Sequence, residues 1–240
     1  MTAQQPEELR ATRAVPLAPA WHTALLVGVI VAVAVTGSLL SAAGKAGLAN
    51  AAAPRVSPIA EVYLPTFVVQ CMLFAYVAWF GRERSALGAL LGARWHSARR
   101  ALEDVAIALG AWLLVVAVEI AWSAVFGGGT SASVAQMLPV SVAERTAWGV
   151  LAITVGISEE LVYRGYLRVQ LAAWLQSEPL GVLAQAVLFG VAHLQQGVGS
   201  ATRIALYGVL LGAIASRRKS LVACILCHAW TDLASGVVLR

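Results

Sequence analysis

The chain has 240 residues, of which 60% are hydrophobic and 12% charged, with a mean hydropathy of +0.78, whereas a soluble domain is about one-quarter charged. That composition excludes an ordinary soluble globular domain. The net charge is only +5 and the arginines gather in short loops, which excludes a nucleic-acid-binding surface, and Cys71, Cys224 and Cys227 all lie in apolar runs, which excludes a disulfide framework.

At about 20 apolar residues per span, the length predicts an all-α polytopic transmembrane bundle of about seven helices. Residues 1–20, with Glu7, Glu8, Arg10 and Arg13 among prolines, read as a cytoplasmic tail. Trp21 to Ala43 predicts the first span, followed by a Gly/Ala/Pro loop around Ala49-Asn50-Ala51, and Ile59 to Phe80 predicts the second, with Glu61 at its rim and Pro65 in its first turns. Arg82, Arg84, Arg94, Arg99 and Arg100 then crowd one loop, which places it in the cytoplasm.

Leu102 to Phe126 predicts the third span, with Glu119 inside it, and Gly127-Gly128-Gly129 opens an outer loop. The fourth helix, Thr146 to Trp174, is long, and Pro179 to Leu194 and Ala201 to Ser216 are short. Each of these two, at about sixteen residues, is marginal for a ~30 Å hydrocarbon core, so one of them is a candidate re-entrant helix. Arg217-Arg218-Lys219 precedes the seventh span, Ser220 to Leu239. A cytoplasmic N-terminus in a bacterial-type inner or plasma membrane puts both basic loops on the cytoplasmic side. The chain thus divides into a tail (1–20), N-terminal transmembrane helices (21–144) and a C-terminal helical core (145–240). Trp21, Trp79, Trp148 and Trp174 read as interfacial anchors, and His22 and His96 as interfacial residues without a role in chemistry.

The fourth helix carries Glu159, Glu160, Arg164 and Arg168 in an otherwise apolar run. A charge at mid-membrane costs about 2.5–3.5 kcal/mol on insertion scales, so a cluster of them marks a site. Arg168, near the boundary, most simply snorkels. At helical spacing Glu160 and Arg164 share a face, as do Phe189 and His193, and His228 and Asp232. Helix rise puts Glu159 about 10 Å from the cytoplasmic face, so these groups are expected to meet in a cavity of the cytoplasmic half. Two carboxylates, two histidines, an arginine and an aspartate together form a general acid–base set suited to hydrolysis by an activated water. Cys224-Ile225-Leu226-Cys227-His228 matches the c-type haem attachment pattern, but lies mid-span, where the cysteines read as small packing residues.

Glu159-Glu160-x-x-x-Arg164, then Phe189-x-x-x-His193, then His228-x-x-x-Asp232, on successive hydrophobic helices, resembles the CPBP (Abi) family of intramembrane proteases, which includes the type II CAAX prenyl endopeptidases and bacteriocin-processing or self-immunity proteins. The resemblance covers roughly residues 145–240. It implies that Glu159 is the general base acting with His193 on the hydrolytic water, that Glu160 and Arg164 orient it, and that His228 and Asp232 stabilise the oxyanion or bind a metal. The family pattern admits Asn or Asp at the last position. An ionised Asp232 cannot donate to an oxyanion, which leaves open a divalent ion such as zinc, with His193, His228 and Asp232 as candidate ligands. The expected partners are the lipid bilayer and a membrane-associated peptide or protein, prenylated and CAAX-like or of bacteriocin or pheromone type, and not nucleic acid. Two other readings stand beside it: an ion-coupled transporter, because buried Glu, His and Arg also form relays, and a non-catalytic scaffold or immunity protein.

Overall fold

A computed structural model describes residues 15–48, 57–82, 88, 91–93, 95–127 and 132–238. Residues 1–14 of the expected tail, the Ala49-Asn50-Ala51 stretch, Arg84 and Arg94 of the basic loop, and Gly128 and Gly129 lie outside the described residues. The rest is helical: α1 (Ala20–Leu48), α2 (Leu64–Arg82) with a π-helical turn Ile59–Tyr63 before it, α3 (Ala98–Phe126), the short α4 (Ala132–Met137), α5 (Val142–Glu159), a π-helical segment Glu160–Leu167, α6 (Arg168–Leu175), α7 (Glu178–Val191), a 3-10 turn Leu194–Gln196, α8 (Val198–Arg218) and α9 (Val222–Val238). Among the described residues, four stretches are long and apolar enough to cross a membrane: Ala20–Leu40, Ile59–Trp79, Ala98–Phe126 and Val198–Arg218. The protein is an integral membrane protein. The expected short sixth span is a full-length α8, whereas α7, with 14 residues, is a shorter apolar helix. The difference at α8 arises because Val198 to Ser200 and Arg217-Arg218 extend the helix beyond its apolar run.

Local chemistry fixes the ends of these helices. Ser141 and Glu144 form a reciprocal capping box that starts α5, and Ser97 and Ser177 cap α3 and α7 through their side chains. In α2, Pro65 lacks an N–H and its ring crowds the carbonyl one turn back, which falls at Glu61, inside the π-helical turn. Widening that turn is the accommodation a proline at this position requires.

Small residues set the helix separations, since in a membrane helices associate through close van der Waals packing rather than hydrophobic exclusion. A Cβ on Gly156 would come within 3.1 Å of the Ala229 backbone nitrogen, and one on Gly236 within 2.5 Å of Trp148 Nε1. These two glycines let α5 and α9 approach closely enough for side chains one turn away to share hydrogen bonds. The two basic loops meet in an isolated bridge between Gly92 and Ser220, with Ala93 N donating to Lys219 O at 2.9 Å and Leu221 N to Leu91 O at 3.0 Å. Arg218 reaches from this junction to Asp104 at 2.6 Å and Glu103 at 3.3 Å. Both basic loops therefore occupy one end of the bundle, as the charge pattern demands.

Several single-residue expectations change. His22 is buried among protein side chains: its Nδ1 lies 2.7 Å from the Tyr166 hydroxyl, which also lies 2.8 Å from Thr23 Oγ1, and its ring stacks on Tyr76. Arg168 does not snorkel; it is buried, donates to the Arg164 carbonyl at 2.9 Å and pairs with Glu178. A snorkelling arginine needs water at its head, and here α7 returns alongside and supplies a carboxylate instead. Glu119 pairs with Arg203 at 3.0 Å. Cys224 and Cys227 are buried free thiols, as packing residues should be.

Candidate active site

The π-helical segment Glu160–Leu167 continues directly from α5, and all eight of its residues are buried. It carries Glu160 and Arg164 on one face, with Nη1 of Arg164 3.0 Å from Oε1 of Glu160 and both side chains 0% exposed. The Arg164 guanidinium also lies over the face of Phe189, 4.2 Å from the ring centroid. Cation–π attraction thus supports a charge for which no hydrogen bond is found among the described residues. Phe189 is packed edge-on by Tyr163, His193 and His228. It is the wall that spaces both histidines.

Glu160 Oε1 also receives the Nδ1–H of His228 at 2.7 Å. The carboxylate between Arg164 and His228 is acceptor-only, so the hydrogen of this bond resides on the imidazole. The other ring nitrogen, Nε2, then faces Glu159 Oε2 and Asp232 Oδ2, each at 3.7 Å. His193 follows α7, and its Nδ1 lies 2.8 Å from the Phe189 carbonyl oxygen. A carbonyl only accepts, so Nδ1 carries the hydrogen and, in the neutral ring, Nε2 holds a lone pair.

A cavity of about 470 Å³ brings Glu159, His193 and Asp232 onto one surface, beside Val29, Ile30 and Val33 of α1. Of the six residues singled out in the sequence, these three line the cavity, while beside them Glu160 is ion-paired with Arg164 and hydrogen-bonded to His228. Tyr63 and Met137 also line it, and they lie at the end of the bundle away from the basic loops, where the Tyr63 hydroxyl donates to the Met137 carbonyl at 2.5 Å. The cavity therefore extends toward the end of the bundle opposite the basic loops.

Two lining residues escaped the sequence reading. Trp148, expected at an interface, donates from Nε1 to the Asp232 carbonyl at 2.8 Å and lines the cavity. Gln70, on α2, donates from Nε2 to Glu159 Oε1 at 2.6 Å. A lone glutamine in the apolar run Val68-Val69-Gln70-Cys71-Met72 was the available signal for the second. Among the described residues no three His, Cys, Asp or Glu side chains are grouped as a metal ion requires. His193, His228 and Asp232 are thus not grouped as a ready ligand set.

Residues 141–234 match the family model described as type II CAAX prenyl endopeptidase Rce1-like. This segment is Rce1-like. It spans α5, the π-helical segment and most of α9, and so contains all seven residues of the three motifs, while α1 to α3 lie outside it. Comparison with curated proteins and with solved structures finds no match. The similarity to that family covers less than half of the chain.

Proposed function

We propose that the chain is an intramembrane endopeptidase that hydrolyses a peptide bond with a water activated by Glu159 and His193. The observation that supports this reading most is the shared cavity: it is lined both by a carboxylate with one buried oxygen, Oε2, lacking a hydrogen-bond partner among the described residues, and by a histidine whose Nδ1–H is given to the Phe189 carbonyl, which leaves the Nε2 lone pair as its acceptor. A water held between them loses a proton to Glu159 as its oxygen bonds to the scissile carbonyl carbon. The carbonyl oxygen takes the negative charge, the C–N bond then breaks, and the proton passes from Glu159 to the leaving amine, giving a carboxylic acid and an amine.

His228 has its Nδ1–H committed to Glu160 and can donate to the oxyanion from Nε2 only as the imidazolium. Glu159, Glu160 and Asp232 are the counter-ions beside it. Asp232 accepts and does not donate while ionised, so its part is to hold His228. The apolar α1 and α2 walls, Val29, Ile30, Val33, Val69 and Leu73, suit a membrane-associated peptide over a soluble one. Prenylated CAAX-like and bacteriocin- or pheromone-type peptides both belong to that class.

The test is a comparison of peptide termini in membranes from cells expressing the wild-type chain or Glu159→Gln at matched levels. Termini present only with the wild type are expected, and they identify the substrate. Identical termini from both, with both chains inserted, would leave the scaffold and transporter readings in possession.

A further inference from the structure

Glu159 is held from outside the Rce1-like segment. Gln70 sits on α2, is buried, and lines the same cavity. Its amide nitrogen is 2.6 Å from Glu159 Oε1; an ionised carboxylate only accepts, so this is the amide end that faces it. The backbone beside it is tied to the same helix, since Ser158 Oγ donates to the Gln70 carbonyl at 2.8 Å. Two bonds from adjacent positions, Ser158 and Glu159, thus converge on one residue of α2. The remaining polar atom of the amide, Gln70 Oε1, is buried and without a hydrogen-bond partner among the described residues, as is Glu159 Oε2.

From this arrangement, and resting on the hydrolytic reading above, we infer that Gln70 is a positioning residue for Glu159: its N–H occupies Oε1, so that Oε2 is the oxygen presented to the water. A carboxylate on a flexible side chain can offer either oxygen in several rotamers. Fixing one oxygen removes that freedom before substrate arrives, and a misplacement of about 1 Å at a reacting group costs on the order of 100-fold in rate. The hydrolytic half of the site is thereby completed by a helix that the family motifs do not include.

The experiment uses the full chain in liposomes and a synthetic peptide spanning the cleavage site found with wild-type membranes. Gln70→Leu is expected to lower kcat about tenfold or more, with KM within about twofold and the thermal unfolding midpoint in detergent near that of wild type. Gln70→Glu separates positioning from packing. It keeps the shape but turns an acceptor toward Glu159, so it is expected to be at least as slow as Gln70→Leu, whereas a purely packing role would leave it the better of the two. If Gln70→Leu does not fold, Gln70→Met carries the same comparison. Wild-type kcat in Gln70→Leu or Gln70→Met, or a Gln70→Glu variant faster than them, would overturn the inference while leaving the protease reading intact. A wild-type chain that cleaves nothing overturns both.

Discussion

Glu160 and Arg164 illustrate what a residue's surroundings add to its identity. Their spacing announces an ion pair, but only the structure adds that Glu160 is shared with His228 and that both partners are fully enclosed. A buried pair is costly to break from one side because the other charge is stranded. Glu160→Ala is therefore expected to lose about 3–5 kcal/mol of stability, whereas the double variant Glu160→Leu with Arg164→Met recovers most of it, both read as thermal unfolding of the purified chain in detergent. Unchanged unfolding in Glu160→Ala would contradict the buried pair. The side chains that line the cavity follow a different logic. His193→Ala removes a half-buried ring, so it is expected to unfold near wild type and yet lose about 100-fold or more in cleavage rate, the scale of a lost general acid–base group. Since no step passes through a metal, a chelator is expected to leave the cleavage rate unchanged; loss on chelation, restored by zinc, would put a metal into the mechanism. The six ionisable motif residues were legible in the sequence because charges are conspicuous in an apolar chain. Gln70, Trp148 and His22 were not, because a single polar or aromatic residue in a span carries no sign of what it faces until the neighbouring helix is in place.

Among the elements, the helix that carries the site is divided where its chemistry lies. The sequence predicts one long helix over Thr146 to Trp174, and the chain is indeed continuous there, but Glu160–Leu167 is wound as a π-helix. No proline marks it, and π-helix formation follows from tertiary contacts rather than from propensity, so periodicity alone could not locate it. The π turn before α2 has a local cause in Pro65, and it lines the same cavity through Val62 and Tyr63. The seam between α5 and α9 gives the most direct test at this scale. Gly156→Val places branched carbon atoms against Ala229, where even the Cβ would lie 3.1 Å from the backbone nitrogen, tighter than most Cβ contacts. Overpacking of this kind costs about 1–3 kcal/mol, and because it forces His228 away from Glu160 and Glu159 it is expected to depress cleavage more than it depresses stability. A Gly156→Val chain with wild-type cleavage would mean that the seam does not set the geometry.

For the molecule as a whole, composition was enough to indicate an all-helical membrane protein, and the spans follow the apolar runs closely. What composition did not yield was the depth of the cavity, which depends on how helix ends are arranged in space. The joining of the two basic loops at Gly92 and Ser220 supports a topology with both on one side. On a Cys71→Ala background, a cysteine at the exposed position 96 is expected to react with a membrane-impermeant reagent only from the cytoplasmic side, and one at position 140 only from the outside; the reverse pattern would invert the proposed orientation. The central claim is Glu159-dependent hydrolysis, and the measurement closest to it is cleavage by the purified chain alone, reconstituted in liposomes with the peptide whose termini depend on the wild type in cells. The account predicts cleavage at the same bond by the wild type and a rate lower by about 100-fold or more for Glu159→Gln. Cleavage by Glu159→Gln at the wild-type rate, or none by a folded wild-type chain, would contradict it.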